Sequence, residues 1–544
     1  MLDQSFSYNN FRIIFEVENR KARFNTSFLD NKYVEAAEDA SALKKEIRKL
    51  KNEFADDTSI EELETQLLKA ETERDIILEN FLFYISQHVN QRDFSLRLNQ
   101  FFDNNTWKQI YTIDKTPATF FVMKQLQYNL RKTFNISHSE RHLIVKQFKD
   151  ILTDDFPKYI VRTDIKSFYE SVSQEKLMWI LTKNSLLSPQ SLKILRNLFY
   201  EYNKLTGQLN SDNKKGIPRG VGVSAYLAEL YMRDIDENIR RLEGVRYYAR
   251  YVDDIIVVFT PTSKSHVPEA FLSSVEAIIV GEKLKVNKKL DDGYVYRYLK
   301  TIEKESDENK KFFAIAKLIN KEKGELAPPY FAAIEKQIYS VFLPLNKRLR
   351  EIESILNLEK QNIENNKTFQ CDLFENKTNT VITFLGYKFI IKDGICTTVL
   401  LSDNKMRKYA ERITLVLQSF IATRKYNYLN ARKMLHYRLA YLTRNTKLTK
   451  PKKGFIGIFY ANSLINPDCQ SLVELDEILG TKIDEYLNPL TDRVLMTRLK
   501  RFSFADGFKN KTFYNLSTKK MPKMKDAEGN VLRSNFEKIV NIWK

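Results

Sequence analysis

Hydrophobic positions near the start of the chain recur at helical spacing. Leu43, Ile47, Leu50 and Phe54 stand 4, 3 and 4 residues apart, which is one stripe of a helix. Ala55-Asp56-Asp57-Thr58 interrupts the stripe. Ser59 followed by Glu62 then has the spacing of a capping box, in which each side chain satisfies an orphan amide at a helix start. Ile60, Leu63, Leu67, Ala70 and Ile77 resume the stripe. The pattern predicts an antiparallel helical hairpin within a helical N-terminal extension over residues 1–104. Its charged faces meet solvent in one reading and a coiled-coil partner in the other.

From 105 to 300 helical patterns alternate with short β-branched and aromatic runs. Tyr159-Ile160-Val161-Arg162-Thr163 is predicted as a strand, as are residues 246–252 and 255–259. A charged stretch at 303–311 breaks the alternation, and Pro328-Pro329 opens an apolar-periodic run to about Leu358. Residues 301–378 therefore read as a helical insertion, whose polar, Asn-rich end at 361–378 is expected to be a loop. Residues 379–400 are read as a strand region and 401–544 as mainly helical.

The chain has 544 residues and a formal charge of +19, which favours a polyanionic partner. Residues 401–453 hold 14 Lys or Arg against Asp403 and Glu411 alone, so this segment supplies most of the excess. It interleaves Tyr409, Phe420, Tyr426, Tyr428, Tyr437 and Tyr441, which can pack a core or stack on bases. Arg432, Lys433 and Arg438 are its candidates for tracking duplex phosphates. Three Cys and five scattered His exclude a disulfide framework and a clustered zinc site. Neither a signal peptide nor a membrane-length apolar run is visible, so a cytoplasmic protein without a membrane partner is expected.

The most informative stretch is Arg250-Tyr251-Val252-Asp253-Asp254-Ile255-Ile256-Val257-Val258-Phe259. Two carboxylates between apolar strand-like runs predict a β-hairpin with the acids at its tip. Like charges held there repel unless cations lie between them, and a divalent metal would resolve the conflict. A third carboxylate, Asp164, ends the strand that starts at Tyr159. Between the acids lies Gly216-Ile217-Pro218-Arg219-Gly220-Val221-Gly222-Val223-Ser224, a Gly-rich turn entering a helix, where backbone can approach a ligand closely.

Together these segments resemble motifs A, B and C of the reverse transcriptase palm, in order. Leu284-Lys285-Val286-Asn287-Lys288-Lys289 resembles motif D, and Phe384-Leu385-Gly386-Tyr387-Lys388-Phe389 resembles the primer grip. The resemblance implies an α+β right-hand polymerase. Fingers and palm (an antiparallel sheet plus helices) would span 105–300, with a helical N-terminal extension before them. A primer-grip strand region would follow at 379–400 and a basic helical thumb-like region at 401–544. It implies synthesis of DNA from deoxynucleoside triphosphates on an RNA template, with two Mg²⁺ ions held by Asp164 and Asp253 and Asp254 contributing beside them. Tyr169 would occupy the steric-gate position, and Lys289 or Lys288 would meet the departing pyrophosphate. Arg219 and Gly220 would line the nucleotide site, where the family usually carries Gln at Arg219 and Pro at Ala225. Arg131 and Arg141, in segments similar to fingers elements, would hold triphosphate or template.

Tyr437-Arg438-Leu439-Ala440-Tyr441-Leu442-Thr443-Arg444-Asn445-Thr446 and Gly457-Ile458-Phe459-Tyr460-Ala461-Asn462 resemble the helical end of bacterial defence-associated, abortive-infection-like reverse transcriptases. Leu2-Asp3-Gln4-Ser5-Phe6-Ser7 and the run from Asp164 to Val172 are similar to the first subunit of type 3 two-enzyme antiphage systems. That resemblance implies a noncoding RNA template, a second reverse transcriptase subunit and a higher-order complex. Two rivals stand beside it. An RNA-dependent RNA polymerase shares the palm carboxylates but commonly has Asp where Tyr169 stands and Gly-Asp-Asp in motif C. A non-enzymatic RNA-binding scaffold would be expected to have lost carboxylates.

Overall fold

A computed structural model describes the chain apart from residues 1, 21–23, 25–27, 30, 53–56, 104–107, 155, 157, 261–267, 287–368, 373–379, 449–453, 488–492, 517–518, 520, 523, 525–531, 533 and 544. Among the described residues the order begins with helices α1 (Tyr8–Arg20), α2 (Asn31–Asn52) and α3 (Asp57–Asn90), then strands β1 (Leu98–Asp103) and β2 (Lys108–Ile113). Helices α4 (Pro117–Thr133) and α5 (Arg141–Thr153) lead to β3 (Tyr159–Asp164), α6 (Phe168–Ser171), α7 (Gln174–Thr182), α8 (Pro189–Leu205) and α9 (Ser224–Arg240). Next come β4 (Val245–Tyr251), β5 (Asp254–Phe259), α10 (Pro268–Gly281), β6 (Phe369–Asp372), β7 (Thr380–Phe384), β8 (Tyr387–Lys392) and β9 (Ile395–Leu401). The chain closes with α11 (Asp403–Arg424), α12 (Tyr428–Thr443), β10 (Asn445–Leu448), β11 (Gly454–Gly457), α13 (Ile458–Asn462), α14 (Gln470–Leu487), α15 (Arg493–Leu499), α16 (Phe504–Lys509) and α17 (Asn535–Val540).

These elements form two compact units that interleave along the chain. The first comprises Met1–His138, Thr163–Leu242 and Ser273–Lys360; the second comprises Ser139–Arg162, Glu243–Leu272 and Gln361–Lys544.

In the first unit α2 and α3 run antiparallel, with Lys51 bonded to Glu64 at 2.7 Å and Lys44 paired with Glu71. Helix α3 starts at Asp57, so Ser59 lies in its first turn and is not its cap. Ile47 and Ile60 of the expected stripes are buried. Phe11 meets Phe121 of α4 at 5.1 Å, and Phe15 meets Phe24 at 4.9 Å. The fully buried Asn129 of α4 donates to the Gln4 carbonyl at 2.9 Å and to Ser191 Oγ at 3.0 Å, so the N-terminal segment is fastened to α4 and α8 by bonds that satisfy a buried amide. The expectation of a wholly helical extension to 104 fails at β1, which pairs antiparallel with β2 from Leu98↔Ile113 to Asp103↔Lys108. Two short strands with exposed Phe101 and Phe102 lack the in-out alternation that would have revealed them.

In the second unit one sheet has the order β4-β5-β3-β6 and another the order β7-β8-β9. β6 pairs antiparallel with β3, from Tyr159↔Asp372 to Arg162↔Phe369. Within the loop expected at 361–378, residues 369–372 are instead a strand, because β3 offers them backbone partners; the rest of that loop and the helical insertion expected from 301 lie outside the described residues. One apolar core joins the sheets to helices, running from Ile144 and Phe148 of α5 through Phe384 and Phe389 to Val416, Leu439, Leu475 and Phe504. The region after 401 is helical as expected, with the additional hairpin β10–β11. Arg438 is not on its surface. It is buried in α12 and donates to Ser419 Oγ at 2.9 Å, and burial pushes its guanidinium down to about 10. It belongs to the core and is removed from the phosphate-tracking set.

Gly507 of α16 packs so closely on the end of α12 that a Cβ would drive into the Thr443 carbonyl oxygen. Gly507→Ala is expected to destabilise the second unit by roughly 1–3 kcal/mol, the ordinary cost of overpacking. Gly454→Ala, where nothing lies within 4 Å of the added methyl, should change stability by less than about 0.5 kcal/mol. Thermal unfolding of the two variants checks this, and equal Tm values would refute it.

Candidate active site

The second unit holds the paired carboxylates. β4 and β5 form the expected hairpin, closing at Tyr251↔Asp254 with Val252 and Asp253 as the tip. Val252 has φ +61°, a left-handed conformation costly for a β-branched residue. The buried Arg250 donates from Nη1 to the Val252 carbonyl at 2.9 Å, so the strained turn is held from beneath. Asp253 and Asp254 are half-buried, and Ile255 to Phe259 behind them are buried. The turn sets the acids at the boundary between apolar sheet and solvent.

Arg162 of β3 is a cation that meets Asp254. It is buried, and its Nη2 lies 3.4 Å from Asp254 Oδ1. The same guanidinium donates to the Thr383 carbonyl and stands 5.7 Å over the Phe384 ring. One side chain thus joins the acidic hairpin to the β7–β8 turn. At that turn Phe384 pairs with Tyr387, and Leu385 and Gly386 have φ +44° and +78°, the backbone of a tight hairpin. Arg141 of α5 donates to the Leu385 carbonyl. Lys405 of α11 lies 4.7 Å over the Tyr387 ring and donates to the Ala461 carbonyl at 3.3 Å. Burial, with the Arg141 charge adding to it, pushes the Lys405 ammonium down to about 7.

The first unit holds Asp164, Tyr169 and the Gly-rich turn. Asp164 is buried at the end of β3. Its neighbour Ile165 bridges to Val286, and the Lys166 amide donates to the Lys285 carbonyl at 2.8 Å, which draws residues 285–286 alongside. Lys288 and Lys289 lie outside the described residues. The turn is laced to α6 by Ile217 N–H to Tyr169 O at 2.8 Å and Gly216 N–H to Val172 O at 2.7 Å. Arg219 forks onto Glu170 with contacts of 3.0 to 3.1 Å and stands 4.9 Å over the Tyr169 ring. Its carbonyl accepts from the Tyr111 amide at 2.7 Å. Gly220 has φ +98°, and a Cβ there would fall 2.6 Å from Ile110 and 2.8 Å from the Tyr111 carbonyl oxygen, so this close approach to β2 requires glycine.

Of the residues singled out from sequence, Tyr169 and Arg219 come together in the first unit. Asp254 and Phe384 are joined through Arg162 in the second, where Arg141 reaches Leu385. Arg131 stands exposed in the last turn of α4, in a different unit from Arg141. Arg162, Arg250, Glu170 and Lys405 were missed. A charge inside the otherwise buried run of β3 was the available signal for Arg162.

Carboxylate oxygens are the donors that Mg²⁺ takes, and it commonly completes its shell with water and substrate phosphate. Among the described residues no three His, Cys, Asp or Glu gather closely enough to hold an ion by themselves. A site of one or two carboxylates finished by phosphate fits this chain.

Residues 92–289 match the family model described as reverse transcriptase (RNA-dependent DNA polymerase). The chain carries a reverse transcriptase domain. That domain makes it an RNA-directed DNA polymerase by enzyme class, a nucleotidyltransferase, and fits an RNA template with nucleotide substrates. The matched span includes Asp164, Tyr169, Arg219, Asp253 and Asp254 and ends before Phe384. No curated protein matches the chain significantly. A solved structure of telomerase from Candida albicans, in complex with a TWJ fragment of telomeric RNA, aligns over 82% of this chain and 76% of its own, at 11% identity and a TM-score of 0.33. A likeness at that score says nothing about function. No helix among the described residues is long and apolar enough to cross a membrane.

Lys405, beyond the matched reverse transcriptase span, gives a pH test of the β7–β8 region. Its folded pKa, about 7, lies below the unfolded value near 10.5. Below pH 7 both states hold the proton and the fold carries the desolvation penalty; between about 7 and 10 the unfolded state binds more protons, so stability rises with pH. The urea midpoint of the wild type should therefore rise relative to Lys405→Met between pH 7 and 9. A pH-independent difference would refute the assignment.

Proposed function

We propose that this protein copies an RNA template into DNA by two-metal phosphoryl transfer, in antiviral defence. The reading is supported above all by the family match, whose span contains all three carboxylates in motif order. Asp164 and Asp253 would be the metal-holding carboxylates, with Asp254, next to Asp253 in the chain, contributing less directly. Bound Mg²⁺ would supply charge stabilisation at the 3′-hydroxyl and the triphosphate. Arg162 holds Asp254 in orientation, and the strained Val252 turn fixes where Asp253 points. Lys289 neutralises the leaving pyrophosphate. Arg131 and Arg141 attract triphosphate or template, and Phe384, Leu385 and Gly386 carry the primer end. A noncoding RNA template, a second reverse transcriptase subunit in a larger complex and a cytoplasmic location follow from the defence reading, which rests on the terminal-segment resemblance.

Tyr169 is the steric gate, excluding a ribose 2′-hydroxyl by clash. Arg219, where the family usually has Gln, acts on the nucleotide through that ring: its guanidinium lies over Tyr169 and is held by the fork to Glu170.

Asp253→Asn, which removes a charge at nearly constant shape, should abolish Mg²⁺-dependent deoxynucleotide incorporation while leaving the unfolding transition in place. Undiminished incorporation by the folded variant sinks the assignment.

Tyr169→Ala should raise ribonucleotide use relative to deoxynucleotide use by about tenfold or more in kcat/KM, with about 1.4 kcal/mol for each factor of ten. Glu170→Gln, which loosens Arg219, should move the same ratio in the same direction by a smaller factor. Matched nucleotide pairs measured alongside Tm decide it. A wild type preferring ribonucleotides would overturn the reverse transcriptase reading in favour of an RNA polymerase.

A further inference from the structure

The basic segment contains a built cleft. Five residues of α12 and four of α15 line a hollow of about 380 Å³ within the second unit. Arg432 and Lys433 stand exposed on one wall and Arg498 on the other, above the buried Leu499. Among the described residues no carboxylate lines the cleft, and none of the three cations is ion-paired. Three positive charges converging without a counter-charge repel one another, and an anion between them relieves that cost. Some surface cations of the same unit do find acids, as Lys500 finds Asp484 at 2.7 Å and Lys509 finds Asp468 at 2.8 Å; the three that converge on the cleft do not.

Its walls also carry rings. Tyr428 is 39% exposed, with Arg432 at 5.8 Å from its centroid, and Tyr437 is half-buried beside Lys433 and Arg498 in the lining. Cations beside aromatic faces are the combination that grips an unpaired nucleotide, its phosphate on the charges and its base against a ring. A duplex keeps its bases stacked inward and offers such rings nothing to stack on. An acidic peptide would use the charges but not the tyrosines. The volume lies at the low end of the range for small-molecule pockets, about 300–1,000 Å³, which suits one nucleotide.

We propose that the α12–α15 cleft holds an unpaired nucleotide of a single-stranded RNA, as an anchor point separate from the polymerase carboxylates. The inference deepens the proposed function and rests on its reading of RNA as the bound strand. Anchoring here keeps a strand on the enzyme by phosphate and base-face contacts that do not read sequence.

The test uses the full chain and a fluorescent twelve-nucleotide oligouridine, with anisotropy read across a salt series. The triple variant Arg432→Gln, Lys433→Gln, Arg498→Gln should lower the log-log salt slope by roughly 2, about 0.7 for each lost phosphate contact on a single strand. Tyr437→Ala should weaken binding about tenfold, and Tyr437→Phe, which keeps the ring, should bind as the wild type does. A blunt RNA duplex of equal length, free UTP and polyglutamate serve as competitors, and each should displace the oligonucleotide poorly. An unchanged slope in a folded triple variant, or equal binding by Tyr437→Ala, overturns the inference. Efficient displacement by duplex, UTP or polyglutamate also overturns it, in favour of duplex tracking, a mononucleotide site or an acidic peptide. Deoxynucleotide incorporation by the wild type is measured in parallel. Incorporation with an unchanged slope sinks the cleft alone, whereas a lowered slope without incorporation sinks the polymerase reading and keeps the cleft.

Discussion

The second unit depends on one buried arginine. Arg162 lies in a strand that is otherwise apolar or neutral up to Asp164, and its guanidinium is taken out of water at a cost that only good partners repay. It finds such partners in the Asp254 carboxylate, the Thr383 carbonyl and the Phe384 ring. Asp254 comes from β5 and the other two from the end of β7, so satisfying one charge fixes the acidic hairpin relative to the β7–β8 turn. Removing the partner of a buried charge typically costs about 3–5 kcal/mol, and loss of Asp254 would leave the buried Arg162 guanidinium in that position. Geometry at the acids is thus tied to the integrity of the core beneath them.

Strain at the hairpin follows from the same arrangement. A Val at φ +61° persists only where its surroundings hold it there. Here the hold comes from the buried Arg250 on the Val252 carbonyl, with the apolar interior of β5 behind it. A glycine at this position would relax the turn and let the following carboxylates wander.

In the first unit the same logic acts at the surface. The Gly-rich turn is joined to α6 by backbone bonds, and Arg219 then spends its fork on Glu170 and its face on Tyr169. An arginine in a position where a neutral amide is usual therefore does not leave a loose cation beside the ring. Its charge is matched locally, and its plane orders an aromatic side chain.

Local patterning was enough to determine much of this protein. Strands β3, β4 and β5, the acids at a hairpin tip and the α2–α3 hairpin were all legible, because each is set by periodicity and turn chemistry within about a dozen residues. The order of Asp164, the Gly-rich turn and Asp253-Asp254 was legible for the same reason, since each lies in a short segment, and all fall inside the reverse transcriptase match. Tertiary structure alone decided the rest. β6 exists because a polar segment some two hundred residues downstream meets the free edge of β3. Arg162, Arg250 and Arg438 are buried while Arg432 and Lys433 are exposed, although all five are the same kind of symbol in the sequence. The Lys405 ammonium is pushed down to about 7 because folding buries it and sets the Arg141 charge, from far upstream, close to it. A residue's backbone preference is a property of its neighbours in sequence. What a charge costs, and what it can do, depends on the dielectric and the partners around it, and those are assembled only when distant segments fold together.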